Sequence, residues 1–116
     1  MLVFIHWGLN WTGYLTELGY EVLDKNWRYG NKEIDIIATK GTMLVIAEVK
    51  TRTENYFGEP EEFVSNNKQK HLIHAANAYI DQACHDGETR FDVIAITHKE
   101  DTWELNHILD AFYPVL

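Results

Sequence analysis

The sequence predicts an α/β fold in which a compact mixed β-sheet is flanked by helices. Two short runs rich in Ile, Val and Leu, Glu33–Thr39 and Met43–Lys50, are separated by only three residues and indicate a β-hairpin. A segment with apolar residues at helical spacing follows, from Ser65 to about Ala83. A third apolar run, Phe91–Thr97, indicates a buried strand after that helix.

The first half of the chain is predicted to contain one helix and three strands. Thr12–Leu18 favours a short helix that ends at Gly19, a residue suited to a left-handed C-cap. Tyr20–Arg28 begins with apolar and polar residues in alternation, which indicates a strand. Gly30-Asn31 then provides the turn into the hairpin.

The second half is predicted to contain the long helix and one or two further strands. Thr51–Pro60 is expected to be a polar loop, and Ser65 can cap the helix that follows it. The buried stripe of that helix consists of Leu72, Ala75, Ala76 and Tyr79. Asp86-Gly87 ends the helix, and Trp103–Ile108 is a candidate final strand. The predicted order is therefore αβββαβ(β), in one domain that spans residues 1–116.

The charge of the chain limits its affinity for nucleic acid. The net charge is −8, from 10 basic and 18 acidic residues, whereas phosphate contacts with basic residues usually dominate such affinity. Most of the acidity is C-terminal, because residues 81–116 hold 2 basic and 8 acidic residues. The sequence is thus compatible with weak or partner-assisted binding of nucleic acid.

The sequence gives no indication of a membrane segment or of export. No stretch is long enough to span a bilayer, and the apolar opening lacks the basic flank and cleavage site of a signal peptide. The single cysteine, Cys84, excludes an internal disulfide and fits a reducing compartment. We therefore expect a cytoplasmic protein without a membrane partner.

The turn of the hairpin fixes which residues face each other. If Gly41-Thr42 forms a two-residue loop, Gly at its first central position suits a type II′ turn. Facing residue numbers then sum to 83, so that Asp35 faces Glu48 and Glu33 faces Lys50. Directly opposite residues share a face of the sheet, with about 4.5–5.5 Å between their Cβ atoms. The other face is expected to be apolar and to carry Ile34, Ile36, Ala38, Val45, Ala47 and Val49.

Two interpretations of the charged face are open. Cross-strand ion pairs would join Glu33 to Lys50 and Asp35 to a nearby arginine. That arrangement leaves Asp35 facing Glu48, and two carboxylates repel each other unless a cation or a proton lies between them. The pattern therefore favours a site for a hard divalent cation over ion pairs alone.

The spacing of Asp35 and Glu48-x-Lys50 resembles the core motif of the PD-(D/E)xK nuclease superfamily. More narrowly, five segments resemble the YraN-like family: Asn26–Arg28, Lys32–Ala38, Ala47–Arg52, Phe57–Glu62 and Lys68–Ile80. The resemblance extends from about Gly19 to Phe112 and implies a restriction-endonuclease-like fold, since the family is grouped with archaeal-type Holliday junction resolvases. The implied function is metal-dependent endonucleolytic hydrolysis of DNA, including branched or junction DNA, with a 5′-phosphate product.

The residue types indicate how such a site would work. Asp35, Glu48 and the backbone carbonyl of Val49 would supply oxygen ligands to Mg²⁺ or Mn²⁺. Lys50 would orient the attacking water or stabilise charge that develops on the phosphate. Gln69 would hydrogen-bond that water or the phosphate; the alternative for Gln69 is a solvated first turn of the long helix.

Glu33 and several basic or aromatic residues would support the site. Glu33 would hold Lys50 in place or join a second metal site. The residues expected to contact nucleic acid are Arg28, Arg52, Lys68 and Lys70. Trp27 and Tyr29, on either side of Arg28, would stack on unpaired bases or pack in the core or at its rim, which is the commoner position for such aromatics.

The chain departs from these relatives in two places. Ile34 stands where the superfamily has a proline before the aspartate, and Gly8 stands where relatives carry a glutamate in an opening helix. The whole segment Met1–Thr12 has no acidic residue, so we expect it to be atypical of the family. The altered N-terminus and the acidic balance favour an alternative function, that of a non-catalytic nucleic-acid-binding or scaffold protein. Such a protein would retain the fold and act as a dimer or with a partner.

Overall fold

A mixed β-sheet forms the centre of the molecule in a computed structural model, which describes residues 2–5, 11–53 and 64–114. Its strands are β1 (Leu2–Ile5), β2 (Glu21–Tyr29), β3 (Lys32–Lys40), β4 (Met43–Thr53), β5 (Thr89–Lys99) and β6 (Thr102–Phe112), and its helices are α1 (Trp11–Glu17) and α2 (Asn66–Ala83). The strand order is β1-β6-β5-β4-β3-β2, and among these strands only β4 and β5 run parallel. A parallel pair needs a long crossover, which contains α2.

The predicted α/β class is confirmed, the element order needs one additional strand, and one predicted strand is longer than expected. The unpredicted strand β1 pairs with β6 at the edge of the sheet, with Leu2 opposite Asn106. The last part of β4 was expected to be loop, but Thr51–Thr53 pairs with the later residues of β5. The rest of the predicted loop, residues 54–63, and Gly8 lie outside the described residues. Within the described ranges, no helix has the length and apolar character needed to cross a membrane.

The two helices cover opposite faces of the sheet. The predicted stripe of α2 is buried in one cluster, together with Ile37, Leu44, Ile46, Phe91 and Val93 of the sheet. On the other face, Tyr14 and Leu15 of α1 pack in a second cluster with Ile36, Ala38, Val45, Ala47, Ile94 and Ile96. The Ser65 hydroxyl caps α2 as predicted, because it accepts a hydrogen bond from the Lys68 N–H at 3.1 Å.

The hairpin register is confirmed from Lys40–Met43 to Ile36–Ala47. Gly41 has a φ of +61° and Thr42 is not in the positive-φ region, which is what a type II′ turn requires of its two central residues. Gly87 packs against the same turn so closely that a Cβ on it would lie 2.3 Å from the Thr42 carbonyl oxygen. The loop after α2 therefore depends on a glycine at this contact.

Regular pairing between β3 and β4 does not continue to Asp35. The last regular pair is Ile36–Ala47. On β2, the neighbouring strand on the other side of β3, Asn26 lies beside Asp35 and has a left-handed φ of +52°. Ile34 consequently packs in the cluster under α2, so its predicted placement on one face with Ile36 was wrong. This interruption of the ladder is where the acidic side chains of β3 and β4 meet.

Candidate metal centre

The Asp35 side chain, and not a backbone carbonyl of β3, accepts the hydrogen bond of a β4 backbone N–H. Its Oδ2 accepts a hydrogen bond from the Val49 N–H at 2.8 Å. The N–H and C=O of one strand residue point to the same side, so the Val49 carbonyl is directed to the edge where regular pairing with β3 has ended. The carbonyl predicted as a ligand and the Asp35 carboxylate are thus brought to the same gap.

Glu48 is the buried acid of this site, since it is only 4% exposed. Its Oε1 lies 3.7 Å from the Lys50 Nζ, and its Oε2 lies 3.6 Å from the Lys68 Nζ. Both distances exceed those of ordinary hydrogen bonds. Within the described ranges, Glu48 Oε2 is buried and accepts no hydrogen bond. A buried polar atom in this state costs on the order of 1–3 kcal/mol.

The electrostatics of Glu48 reflect its surroundings. Burial of the carboxyl group is the main cause that raises the pKa of Glu48 to about 7. The neighbouring charge of Asp35 is the second cause, and a hydrogen bond between the two carboxyl groups contributes less. Lys68 and Lys50 act in the opposite direction but do not compensate. The group therefore lacks enough positive charge nearby to ionise as an exposed glutamate does.

The available ligands fit a small, hard cation. Among the described residues, no third Asp, Glu, His or Cys joins Asp35 and Glu48 in a group that could hold a metal ion. Mg²⁺ is commonly bound through one or two carboxylates, with waters and substrate phosphates completing its octahedral shell. Three oxygens meet this requirement: Glu48 Oε2, which accepts no hydrogen bond from a described residue, the Asp35 carboxylate and the Val49 carbonyl.

The structure separates other predicted site residues from this gap. Glu33 forms an ion pair with Arg28 on β2 at 3.1 Å, and Lys50 is paired with Glu48 instead. Gln69 is half-buried, and its Nε2 donates to the Val64 carbonyl, so it secures the entry to α2. The Arg52 guanidinium donates to the Thr51 carbonyl.

The two basic residues on the first turns of α2 have different positions. Lys68 points to Glu48, although sequence spacing suggested only a contact with nucleic acid. Lys70 is exposed and lines a groove on the outer side of α2. The approach of Lys68 depends on how α2 packs on the sheet, which spacing along the chain does not reveal.

The aromatic pair beside Arg28 is divided between the core and the surface. Trp27 packs on the core cluster and makes an edge contact with Tyr79. Tyr29 stacks parallel to Trp27, with 6.2 Å between ring centroids, and is 40% exposed. Trp27 therefore packs in the core, as is common for such aromatics. The ring of Tyr29 is partly exposed to solvent and lies next to His74.

A second buried carboxylate, Asp92 on β5, was not singled out from the sequence. Arg90 donates to both of its oxygens at 2.8 Å, His107 Nε2 lies 2.7 Å from Oδ2, and the Asp110 N–H donates to Oδ1 at 3.0 Å. Burial opposes ionisation of Asp92, but these hydrogen bonds outweigh it and hold its pKa below the usual value. The signal in the sequence was an acidic residue inside a run typical of a buried strand.

The network around Asp92 reaches Tyr14 of α1 and Tyr20, which precedes β2. The Tyr14 hydroxyl lies 3.0 Å from His107 Nδ1, and Arg90 donates to the Tyr20 hydroxyl at 2.6 Å. An ionised carboxylate only accepts, so His107 Nε2 donates to Asp92, and a neutral ring then accepts the Tyr14 proton at Nδ1. This network ties α1 to β5 and β6.

Comparison with known proteins gives a family for the chain. Residues 11–96 match the family described as "Uncharacterised protein family UPF0102". A UPF0102 protein of Bacteroides thetaiotaomicron is 44% identical over 103 residues, which cover 89% of this chain and 85% of that protein. Those of Christiangramia forsetii and Flavobacterium johnsoniae are 43% and 42% identical, and each match covers 86% of this chain and 84% or 85% of the relative. The resemblance read from the motifs is thus confirmed at the level of the family, and the chain belongs to UPF0102, the YraN-like family.

Proposed function

We propose that this protein is a metal-dependent endonuclease that hydrolyses phosphodiester bonds of DNA. The observation that carries the proposal is the buried Oε2 of Glu48, which accepts no hydrogen bond from any described residue and lies beside Asp35 and the Val49 carbonyl. A cation bound by these three oxygens would relieve both the missing hydrogen bond and the repulsion between the carboxylates. When bound, Mg²⁺ or Mn²⁺ supplies polarisation of the phosphate and a lowered pKa of water.

The residues of the chain have distinct tasks in this reaction. Asp35 and Glu48 bind the cation and fix its position, because the Val49 N–H holds the Asp35 carboxylate and the fold buries Glu48. Lys50 and Lys68 approach Glu48 from two sides and are each partly exposed. With Glu48 engaged as a ligand, both ammonium groups would be free to turn to the substrate phosphate, where they would stabilise developing negative charge. Lys68 joins Lys50 in this role.

The first test is metal binding and cleavage by the full chain. Calorimetric titration with Mn²⁺ and Mg²⁺ is expected to give one site, which Asp35→Asn removes. Cleavage of branched, flapped and single-stranded DNA is expected to fall by about 10²–10³-fold in Lys50→Ala, while DNA affinity changes little. Glu33→Gln serves as the matched control, because Glu33 is paired with Arg28 outside the gap.

The test also decides between this function and the non-catalytic alternative. The net charge of −8 favours the alternative of a nucleic-acid-binding or scaffold protein that acts as a dimer or with a partner. If neither cation binds and Asp35→Asn and Lys50→Ala behave like the parent, the endonuclease proposal is rejected. The proposal also retains a cytoplasmic location, where a nuclease of this kind has access to DNA.

A further inference from the structure

A groove lies between α2 and the segment that follows β6. It has a volume of about 300 Å³, and its walls include Lys70, Ile73, His74 and Asn77 of α2 and Tyr113 and Pro114 after β6. Gln69, the neighbour of Lys68, also lines it. The residues of α2 extend over eight positions from Gln69, which corresponds to roughly 12 Å along the helix. The groove therefore begins beside the residue that contacts Glu48 and leads away from it.

The walls of the groove suit a flat ligand with a polar edge. Tyr113 is 68% exposed, and with Ile73 and Pro114 it offers apolar surface. Asn77 and His74 add hydrogen-bond donors and acceptors. Within the described ranges, neither Asn77 nor Lys70 is hydrogen-bonded or ion-paired to another residue, so both are available to a ligand. A nucleobase has both a flat face and an edge of donors and acceptors.

The charges near the groove fit a nucleotide better than a neutral flat ligand. Lys70 adds a cation at the groove, and Lys68, which contacts Glu48, lies on the same turn of α2. The exposed ring of Tyr29 lies beyond His74, with 5.7 Å between their centroids, and continues the aromatic surface across α2. Aromatic rings with flanking cations are the usual means of binding unpaired nucleotides without strong sequence preference.

We infer that this groove binds one unpaired nucleotide of the DNA substrate, with its base against Tyr113 and Asn77. The inference rests on the proposed endonuclease function and narrows its substrate class to DNA that contains unpaired nucleotides. Bases inside a continuous duplex are stacked on their neighbours and cannot enter such a groove. Lys70 contacts the phosphate that accompanies the bound base.

The test uses single-stranded oligodeoxynucleotides that carry 2-aminopurine at one position, titrated with the full chain in EDTA at low salt. Stacking on Tyr113 is expected to quench the fluorescence, and Tyr113→Ala is expected to weaken binding about 5- to 100-fold. Asn77→Ala weakens binding less. Tyr113→Phe keeps the ring and binds like the parent, as does Gln82→Ala, an exposed amide of α2 outside the groove. A blunt duplex of the same sequence is expected to bind these variants and the parent equally.

The outcomes separate this inference from the proposed function. Tyr113-dependent quenching in EDTA without cleavage in Mn²⁺ supports the groove and rejects the endonuclease. Metal-dependent cleavage that Tyr113→Ala and Asn77→Ala leave unchanged rejects the groove and supports the endonuclease. Absence of quenching by the parent also overturns the inference. It is equally overturned if sedimentation shows a dimer that Tyr113→Ala dissociates, because a second copy of the chain would then occupy the groove.

Discussion

Two buried carboxylates on neighbouring parallel strands differ sharply in their surroundings. Glu48 on β4 faces α2, whereas Asp92 on β5, opposite Ala47, lies in the network beneath α1. Asp92 receives hydrogen bonds from Arg90, His107 and the Asp110 N–H. Glu48 has two ammonium groups more than 3.5 Å away and one oxygen without a hydrogen bond from any described residue.

The two acids differ in how many hydrogen bonds their carboxyl groups accept and, as a result, in their pKa. The pKa of Asp92 is held low by its hydrogen bonds, and that of Glu48 is raised to about 7 by burial and by Asp35. Native proteins satisfy nearly all buried polar atoms, so an unsatisfied one requires an explanation, and the cation site proposed above provides one. Both acids lie in strands of similar composition, and only the partners distinguish them.

The largest expected effect is a loss of stability when the hydrogen bonds of the Asp92 carboxylate are removed. Asp92→Asn leaves the Arg90 guanidinium and His107 without their carboxylate and is expected to reduce the free energy of unfolding by roughly 3–5 kcal/mol. Chemical denaturation at pH 7 measures this loss. Asp110→Asn is the control, since Asp110 contributes only its backbone N–H and asparagine tolerates its left-handed φ of +54°. Equal stability of the Asp92 variant and the parent would show that the network is not structural.

The second prediction concerns Glu48 and how its raised pKa makes stability depend on pH. Glu48→Gln removes an acid whose pKa is raised in the folded chain from its ordinary value of 4.5 to about 7. A raised pKa means that the stability contributed by the protonated group is complete below pH 4.5 and is lost as the pH rises through 7. At pH 8 without metal, the variant is therefore expected to be more stable than the parent by roughly 3 kcal/mol, and the difference should vanish near pH 4.

Thermal unfolding from pH 4 to pH 8 measures this difference. Glu33→Gln should show no such advantage, because Glu33 is paired with Arg28 near the surface. Mn²⁺ is expected to stabilise the parent at pH 8 and to leave Glu48→Gln unchanged. A variant that is less stable than the parent at pH 8 would mean that Lys50 and Lys68 already compensate the buried charge.

The parts of the fold that depend on local chemistry could be predicted from the sequence. The register of the hairpin followed from Gly41-Thr42 and from alternation, and the Ser65 cap followed from its residue type. The pairing expected from the turn does not continue beyond Ile36–Ala47, because the ladder is interrupted there. Glu33 is paired with Arg28 on β2 and not with Lys50. The register of a hairpin concerns only its two strands, whereas the side chain of Glu33 also contacts a third strand, β2.

Contacts between distant segments could not be predicted in this way. Strand β1 pairs with β6 near the other end of the chain, and the Tyr14 hydroxyl bonds to His107, 93 residues away. The approach of Lys68 to Glu48 also depends on the packing of α2 on the sheet. Asp92 could have been suspected, since a buried strand that contains an acid must provide partners, but the sequence did not show which.

The smallest effect tests whether the two sides of the sheet act independently. Tyr14→Phe removes one hydroxyl at the end of the Asp92 network and is expected to lower the free energy of unfolding by about 1 kcal/mol. Tyr113→Phe removes a hydroxyl that is exposed and is expected to change stability by less than about 0.5 kcal/mol. Neither variant is expected to alter the Mn²⁺ affinity measured by calorimetry, because Asp92 and Glu48 lie on opposite faces. A weaker Mn²⁺ affinity in Tyr14→Phe would show instead that the network positions β4 through β5, and the satisfied acid would then belong to the function as well as to the fold.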